Sequence, residues 1–445
     1  MRELHQRHSE MQPSHLDASR VATEPETTFD FRTLPAYREI KIVRSTGQTL
    51  GIESPFYRRV DEVRGTKIKV GGSWKTNFAS YDYLGYNQSK PVADAAALGA
   101  RQWGVSSTAS RVVGGHRFYH EELENRLSEF LGVEDAITMV SGYGTNLAVL
   151  RTLMAKGDLV LVDTLAHKSI YEGIHASGAD YFAFPHNDID WIDDKLASVR
   201  GEYNNVLIVI EGLYSMDGDV PDLPKFIEIK NLHRSWLMID EAHSLGVLGK
   251  TGRGLCEEFG IDAANVEILM GTLSKALCSC GGFIAGSAGL IDLLRFKAPG
   301  FVYSVGLSAP NSFAANEALN MLANDNGPVE RLRELSAYFF EKADHYDLDC
   351  GAGGDYPIIP LMTWDSLAAT WISNMLFENG FNVQPIISPA VPNKAARLRF
   401  FLTANHKTSE IDEVLLATSK FVKEANDTNL IDQWVKSQSD LGSSS

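Results

Sequence analysis

Five short, almost wholly apolar runs constrain this chain more than any other feature. They are Ala136 to Val140, Leu159 to Val162, Val206 to Ile210, Trp236 to Ile239 and Ile268 to Met270. Helix-like stretches such as Glu121 to Leu131 and Leu223 to His233 lie between them. A strand that is apolar on both faces has to be covered on both. Strand–helix alternation supplies that cover and runs the strands parallel, so the expected class is α/β with a mainly parallel sheet. In open sheets of this kind ligands bind beyond the carboxyl ends of the strands. The polar residues suited to chemistry fall there: Ser141 and Gly142 after one run, then Asp163, Glu211, Asp240, and Thr272 to Lys275 after the others.

At 445 residues the chain exceeds one small core. Beyond Gly327 the pattern changes: Arg331 to Tyr346 and Ala368 to Asn379 read as helices, Pro357 to Met362 and Arg397 to Leu402 as strands. The expected division is a polar, flexible arm over 1–29, an N-terminal segment of short strands and turns over 30–95, a large domain over 96–325, a smaller α+β domain over 326–425 and a flexible tail over 426–445. A formal charge of −16 argues against a nucleic-acid surface. Cys256, Cys278, Cys280 and Cys350 are too few and too irregular for a disulfide framework, and no second pair completes a metal site around Cys278 and Cys280. Neither a signal peptide nor a run long enough to span a membrane is visible, so a cytoplasmic location is expected.

Lys275 sits at a strand end between Thr272, Ser274 and Gly271. Hydroxyls there can hold a phosphate while a partly desolvated amine forms a Schiff base with an aldehyde. Upstream, Asp240-Glu241-Ala242-His243 offers a carboxylate for a pyridinium nitrogen and an imidazole for a phenolic oxygen, the groups that pyridoxal phosphate requires. Asp-Glu-Ala-His is also an NTPase box, but Ser244 stands where a phosphate loop ending at Gly249-Lys250-Thr251 needs glycine, so that stretch reads as a glycine-rich turn. Ser141 to Asn146, before a helix expected to begin near Leu147, is either an anion site or an ordinary tight turn. His167 either stacks on a cofactor or lies on the surface. Arg397 and Arg399 share a strand face and suit a carboxylate clamp or a solvated edge.

Taken together these residues resemble the α-oxoamine synthases, pyridoxal-phosphate enzymes of fold type I. The match runs from about Asn77 to about His406 through Asn77 to Gly85, His120 with Leu123-Glu124, Ser141-Gly142-Tyr143, His167, His186-Asn187-Asp188, Tyr214 to Asp219, Asp240 to His243, Thr272 to Lys275, Pro389 to Pro392 and Arg397 to Arg399. The resemblance implies a large domain on a seven-stranded sheet and a smaller C-terminal domain. It implies that Lys275 binds the cofactor aldehyde and moves protons at Cα, that Asp240 keeps the ring nitrogen protonated, and that His243 and Ser215 bind the phenolic oxygen. His167 would stack on the ring; Gly142, Tyr143, Thr272 and Ser274 would hold the phosphate, joined by Ser304 from a partner subunit in a homodimer. Arg399, or less readily Arg397, would clamp the substrate carboxylate.

The implied reaction is a decarboxylative condensation of a small L-amino acid with an acyl thioester. Tyr81 stands where many members have asparagine and resembles the serine-palmitoyltransferase-like branch, which favours serine over glycine or alanine. The segment Ala298 to Gly306 resembles synthase domains of polyketide-type assembly lines, so an acyl carrier protein competes with coenzyme A as donor. Many members carry glycine at Cys278. Alternatives on this fold are an aminotransferase, an aldolase-like lyase and a non-catalytic partner subunit, the last of which would lack Lys275.

Overall fold

The computed structural model describes residues 30–41 and 53–427; the arm over 1–29 lies outside them, as does the tail beyond Asp427. The chain falls into two units, Met1–Ser54 and Pro55–Ser445. In the first, Asp30 caps a 3-10 turn, Phe31–Thr33, through the Arg32 N–H, and a short helix follows over 35–41.

The second unit opens with an antiparallel meander, β1 (Glu62–Arg64), β2 (Lys67–Val70) and β3 (Ser73–Asn77). Its main sheet holds β4 (Asp135–Met139), β5 (Leu159–Asp163), β6 (Asp180–Phe184), β7 (Val206–Glu211), β8 (Trp236–Asp240), β9 (Ile268–Thr272) and β10 (Gly282–Gly286). Their order across the sheet is β4-β10-β9-β8-β7-β5-β6. The pairs β6–β5–β7–β8–β9 are parallel, and β10 runs antiparallel to both neighbours. The fold is thus the α/β class expected, with a mainly parallel seven-stranded sheet.

Side-chain alternation explains why these strands carry no polar face. Leu159, Leu161, Val206, Ile208 and Ile210 enter one core cluster, while Val160, Val162, Leu207 and Val209 enter the other on the opposite face. Each such side chain, once buried, contributes about 1.5–3 kcal/mol.

Two small sheets follow. β11 (Ile358–Met362), β13 (Gln384–Ile386) and β14 (Arg397–Phe401) form one, with β14 central. β12 (Phe381–Asn382) leaves that region and joins the N-terminal meander, pairing parallel with β3 at Thr76 and Asn77. The contact is extended by Phe78 N–H to Asn382 O at 2.9 Å, Phe401 N–H to Phe78 O at 2.8 Å and Ala404 N–H to Tyr83 O at 2.8 Å. These bonds seat residues 77–85 against the C-terminal strands.

Candidate active site

A cavity of about 450 Å³ opens at the carboxyl ends of β4, β5, β7, β8 and β9. A larger one, about 580 Å³, lies at the opposite end of the sheet among Leu153, Trp236, Ile268, Leu290 and Leu293; it is mainly apolar and is lined by no lysine, histidine or cysteine. The chemistry belongs to the first.

One wall is a helix start. The helix Gly142–Leu153 is capped by Ser141, whose Oγ accepts the Gly144 N–H at 3.2 Å. The helix therefore begins five residues before the expected Leu147, and the glycines form its first turn instead of a preceding loop. Gly142 and Tyr143, at the first two helical positions, have N–H groups without an intrahelical acceptor, and both line the cavity. A Cβ on residue 142 would sit 2.8 Å from Thr272 Oγ1, so only glycine lets the helix end approach that hydroxyl. Thr272 Oγ1 lies 2.8 Å from Ser274 Oγ and donates to Gly281 O at 3.0 Å. Backbone N–H groups and two hydroxyls thus converge on one seat that fits a phosphate.

Lys275 follows directly and is half-buried at the cavity wall. Burial lowers its pKa, against the raising pull of Asp240 and Glu211, which favours the nucleophilic free amine. Asp240, at the end of β8, is 4% exposed. Its Oδ2 accepts from Asn146 Nδ2 at 2.9 Å and its Oδ1 from the Ala242 N–H at 3.0 Å. Asn146 also donates to Ser169 Oγ at 3.0 Å, which lies 2.7 Å from His167 Nδ1. A polar chain therefore runs from Asp240 to His167, which caps the helix Lys168–Ser177 and is an exposed residue lining the cavity. Burial holds the His167 pKa below its usual value.

Arg399 and Ser215 complete the rim. Arg399 Nη1 donates to Ser215 O at 2.8 Å and reaches Met216 Sδ at 3.4 Å, while its buried Nε has no partner among the described residues. An orphan guanidinium N–H at a cavity wall is a seat for a carboxylate. Tyr81 lies nearby, with the Lys275 amine 5.9 Å from its ring centroid. Arg397 does not share this role: it is bound to Asp217 and donates to Met216 O at 3.0 Å, and it does not line the cavity. Ser304 does not line it either; it follows the short helix Pro299–Val302 and is half-buried. Asp163 turns away as well, fully buried against His186, whose other nitrogen meets Asp219 at 2.8 Å. The two carboxylates raise the His186 pKa to about 10 against the opposing effect of burial.

Cys278 adopts φ of +50°, where an L side chain costs about 1–2 kcal/mol. That geometry favours glycine, and here the thiol donates to Asp82 Oδ1 at 3.2 Å.

Glu211, at the end of β7, stands in register with Asp240. It is buried, and its Oε1 has no hydrogen-bond partner among the described residues. Burial first, and the Asp240 charge second, raise its pKa from 4.5 to about 8. The folded chain then binds this proton more tightly than the unfolded one. The associated stability is full below about pH 4.5 and is lost as pH rises through about 8. Glu211→Gln, which needs no proton, is expected to flatten the fall in Tm of the cofactor-free protein across that window. Melting curves at the two ends check this; an unchanged slope would remove Glu211 from the effect.

Known proteins resemble this chain over most of its length. A family model described as aminotransferase class I and II matches residues 73–417. The chain is 35% identical over 386 residues to 8-amino-7-oxononanoate synthase of Petrotoga mobilis, covering 86% of this chain and 96% of that one. It is 32% identical over 376 residues to serine palmitoyltransferase of Sphingobacterium spiritivorum, covering 84% and 94%. The solved serine palmitoyltransferase from S. paucimobilis with bound PLP–myriocin matches at a TM-score of 0.86 and 25% identity, over 90% of this chain and 100% of that one. With a half-buried lysine, a buried aspartate, a phosphate seat and an orphan arginine gathered at the sheet's carboxyl edge, the chain belongs to the aminotransferase class I and II family, in its α-oxoamine synthase branch.

Proposed function

We infer that this chain is a pyridoxal-phosphate-dependent acyltransferase that condenses a small L-amino acid with an acyl thioester, releasing carbon dioxide and free thiol. The observation that carries this is the meeting of Lys275, Asp240, His243, His167 and Arg399 in one cavity. When bound, pyridoxal phosphate supplies an aldehyde for amines and a protonated ring that takes up the electron pair left at Cα. The Gly142 and Tyr143 N–H groups with Thr272 and Ser274 would hold its phosphate. Asp240 would face its ring nitrogen, His243 and Ser215 its phenolic oxygen, and His167 its ring face.

Lys275 would hold the cofactor covalently and then carry the proton to and from Cα. Arg399 would take the substrate carboxylate on its free Nε–H and fix which bond at Cα aligns with the ring. Across the reaction one C–C bond forms at Cα, the C–S bond of the thioester and the Cα–carboxylate bond break, and one proton returns to Cα. The product is an α-amino ketone.

Serine is the amino acid we favour, because Tyr81 at the cavity resembles the serine-palmitoyltransferase-like branch; glycine and alanine are the alternatives. The acyl group arrives on coenzyme A or on a carrier protein. The active unit is a homodimer: Val113 and Tyr303 are more than four-fifths exposed, and Ser110 bridges Val305 beside them, an apolar face suited to a second copy. Ser304 in that face would reach the partner's phosphate seat. Among the described residues no helix is long and apolar enough to cross a membrane, and the four thiols are unpaired, which suits a reducing cytoplasm.

Incubation of the cofactor-loaded protein with serine, glycine or alanine and either acyl-CoA or acyl-carrier protein tests the reading. Release of carbon dioxide and thiol is expected only with both substrates present, and fastest with serine. Amino transfer to an oxo acid with no thioester consumed would identify an aminotransferase instead.

A further inference from the structure

Tyr83 is fully buried beneath the cavity, six residues after β3, and its hydroxyl lies 2.7 Å from His243 Nδ1. Among the described residues neither Tyr83 Oη nor His243 Nε2 has another hydrogen-bond partner. The imidazole is boxed in: the Tyr81 ring meets it edge-on at 5.7 Å, and Phe401 lies parallel to it at 6.4 Å. Its orientation is therefore fixed by packing, and its protonation pattern by the single hydroxyl behind it.

A buried phenol with one acceptor in reach must donate to it, since the reverse arrangement would strand the O–H proton without a partner. Nδ1 is then the acceptor, and the remaining nitrogen, Nε2, carries the hydrogen. Two electrostatic effects support this. Burial, reinforced by the Lys275 and Arg399 charges, keeps His243 neutral, and burial also keeps the Tyr83 phenol from ionising.

We propose that Tyr83 is a positioning residue that locks His243 in its Nε2–H tautomer, so that a neutral imidazole presents a donor, not a lone pair, to an anionic oxygen in the cavity. On the functional reading above, which this inference extends, that oxygen is the cofactor's phenolate. A lone pair would repel the anion; a fixed donor stabilises it and needs no proton from solvent. The second ring nitrogen's partner sets which nitrogen does the work, and Tyr83 is that partner.

The test is nitrogen NMR on the full chain with ¹⁵N-labelled histidine, with and without pyridoxal phosphate. The His243 signals are assigned by their loss in His243→Gln. The expected wild-type pattern is a protonated Nε2 and a bare Nδ1, unchanged from about pH 6 to 8. In Tyr83→Phe the tautomers are expected to mix, and the dissociation constant for pyridoxal phosphate to rise about five-fold. A protonated Nδ1 in the wild type would overturn the proposal without reference to any variant. A Tyr83→Phe protein with lower Tm but an unchanged tautomer would overturn it too, leaving Tyr83 as packing only. Failure of the chain to bind pyridoxal phosphate would sink the functional reading while leaving the tautomer measurement to stand by itself.

Discussion

Lys275→Ala is expected to lower turnover by about 10⁴-fold or more while leaving the fold intact. The amine lies within the electrostatic reach of Asp240, Glu211 and Arg399, and the substitution removes it without touching the phosphate seat. Among the described residues no other lysine lines the cavity. Burial holds His243 and His167 neutral, but His243 Nδ1 is tied to Tyr83 and His167 Nδ1 to Ser169. The check is the rate of thiol release with both substrates, alongside circular dichroism and Tm to establish that the variant is folded. Activity within a hundred-fold of wild type would take the lysine out of the reaction.

Asp240→Asn is expected to lower kcat by about 10³-fold and to weaken cofactor binding as well. Breaking one side of a buried charge pair costs about 3–5 kcal/mol, which at about 1.4 kcal/mol per decade spans two to four orders of magnitude. The side chain is held by two donors, Asn146 Nδ2 and the Ala242 N–H. An asparagine amide can satisfy only one of them, and it brings no charge to a ring nitrogen. Steady-state kinetics at saturating pyridoxal phosphate separate the two effects. A kcat within ten-fold of wild type would mean that the ring's electron uptake does not depend on this carboxylate.

The strands that could be read from the sequence were those buried on both faces, because a continuous apolar run survives any choice of neighbour. β6 and β10 carry weaker signals. Asp180 to Phe184 lies at the sheet's edge with its first two residues exposed, and Gly282 to Gly286 begins and ends in glycine. The residues at strand ends were legible for a related reason: the carboxyl edge of a parallel sheet gathers the residue that ends each strand. Pairings between distant segments left no such trace. Tyr83 and His243 are 160 residues apart, and Asn146 and Asp240 are 94 apart; each pair is joined only by the fold. The Arg397–Arg399 pair illustrates the limit. Alternation put both on one face, but a guanidinium bound to Asp217 and one with an orphan Nε look alike in sequence.

The pairing of β12 with β3 bears on the order of events at the ribosome. Residues 77–85 carry Tyr81 and Tyr83, and they are seated by Phe381, Asn382, Phe401 and Ala404, some 300 positions later. The main sheet can assemble from residues 135–286 as they emerge, but its cavity lacks one wall until nearly the whole chain has been made. Cofactor capture by the nascent protein is therefore a late step, and a chain truncated before residue 381 would carry Lys275 and Asp240 yet have no finished place to put them to use.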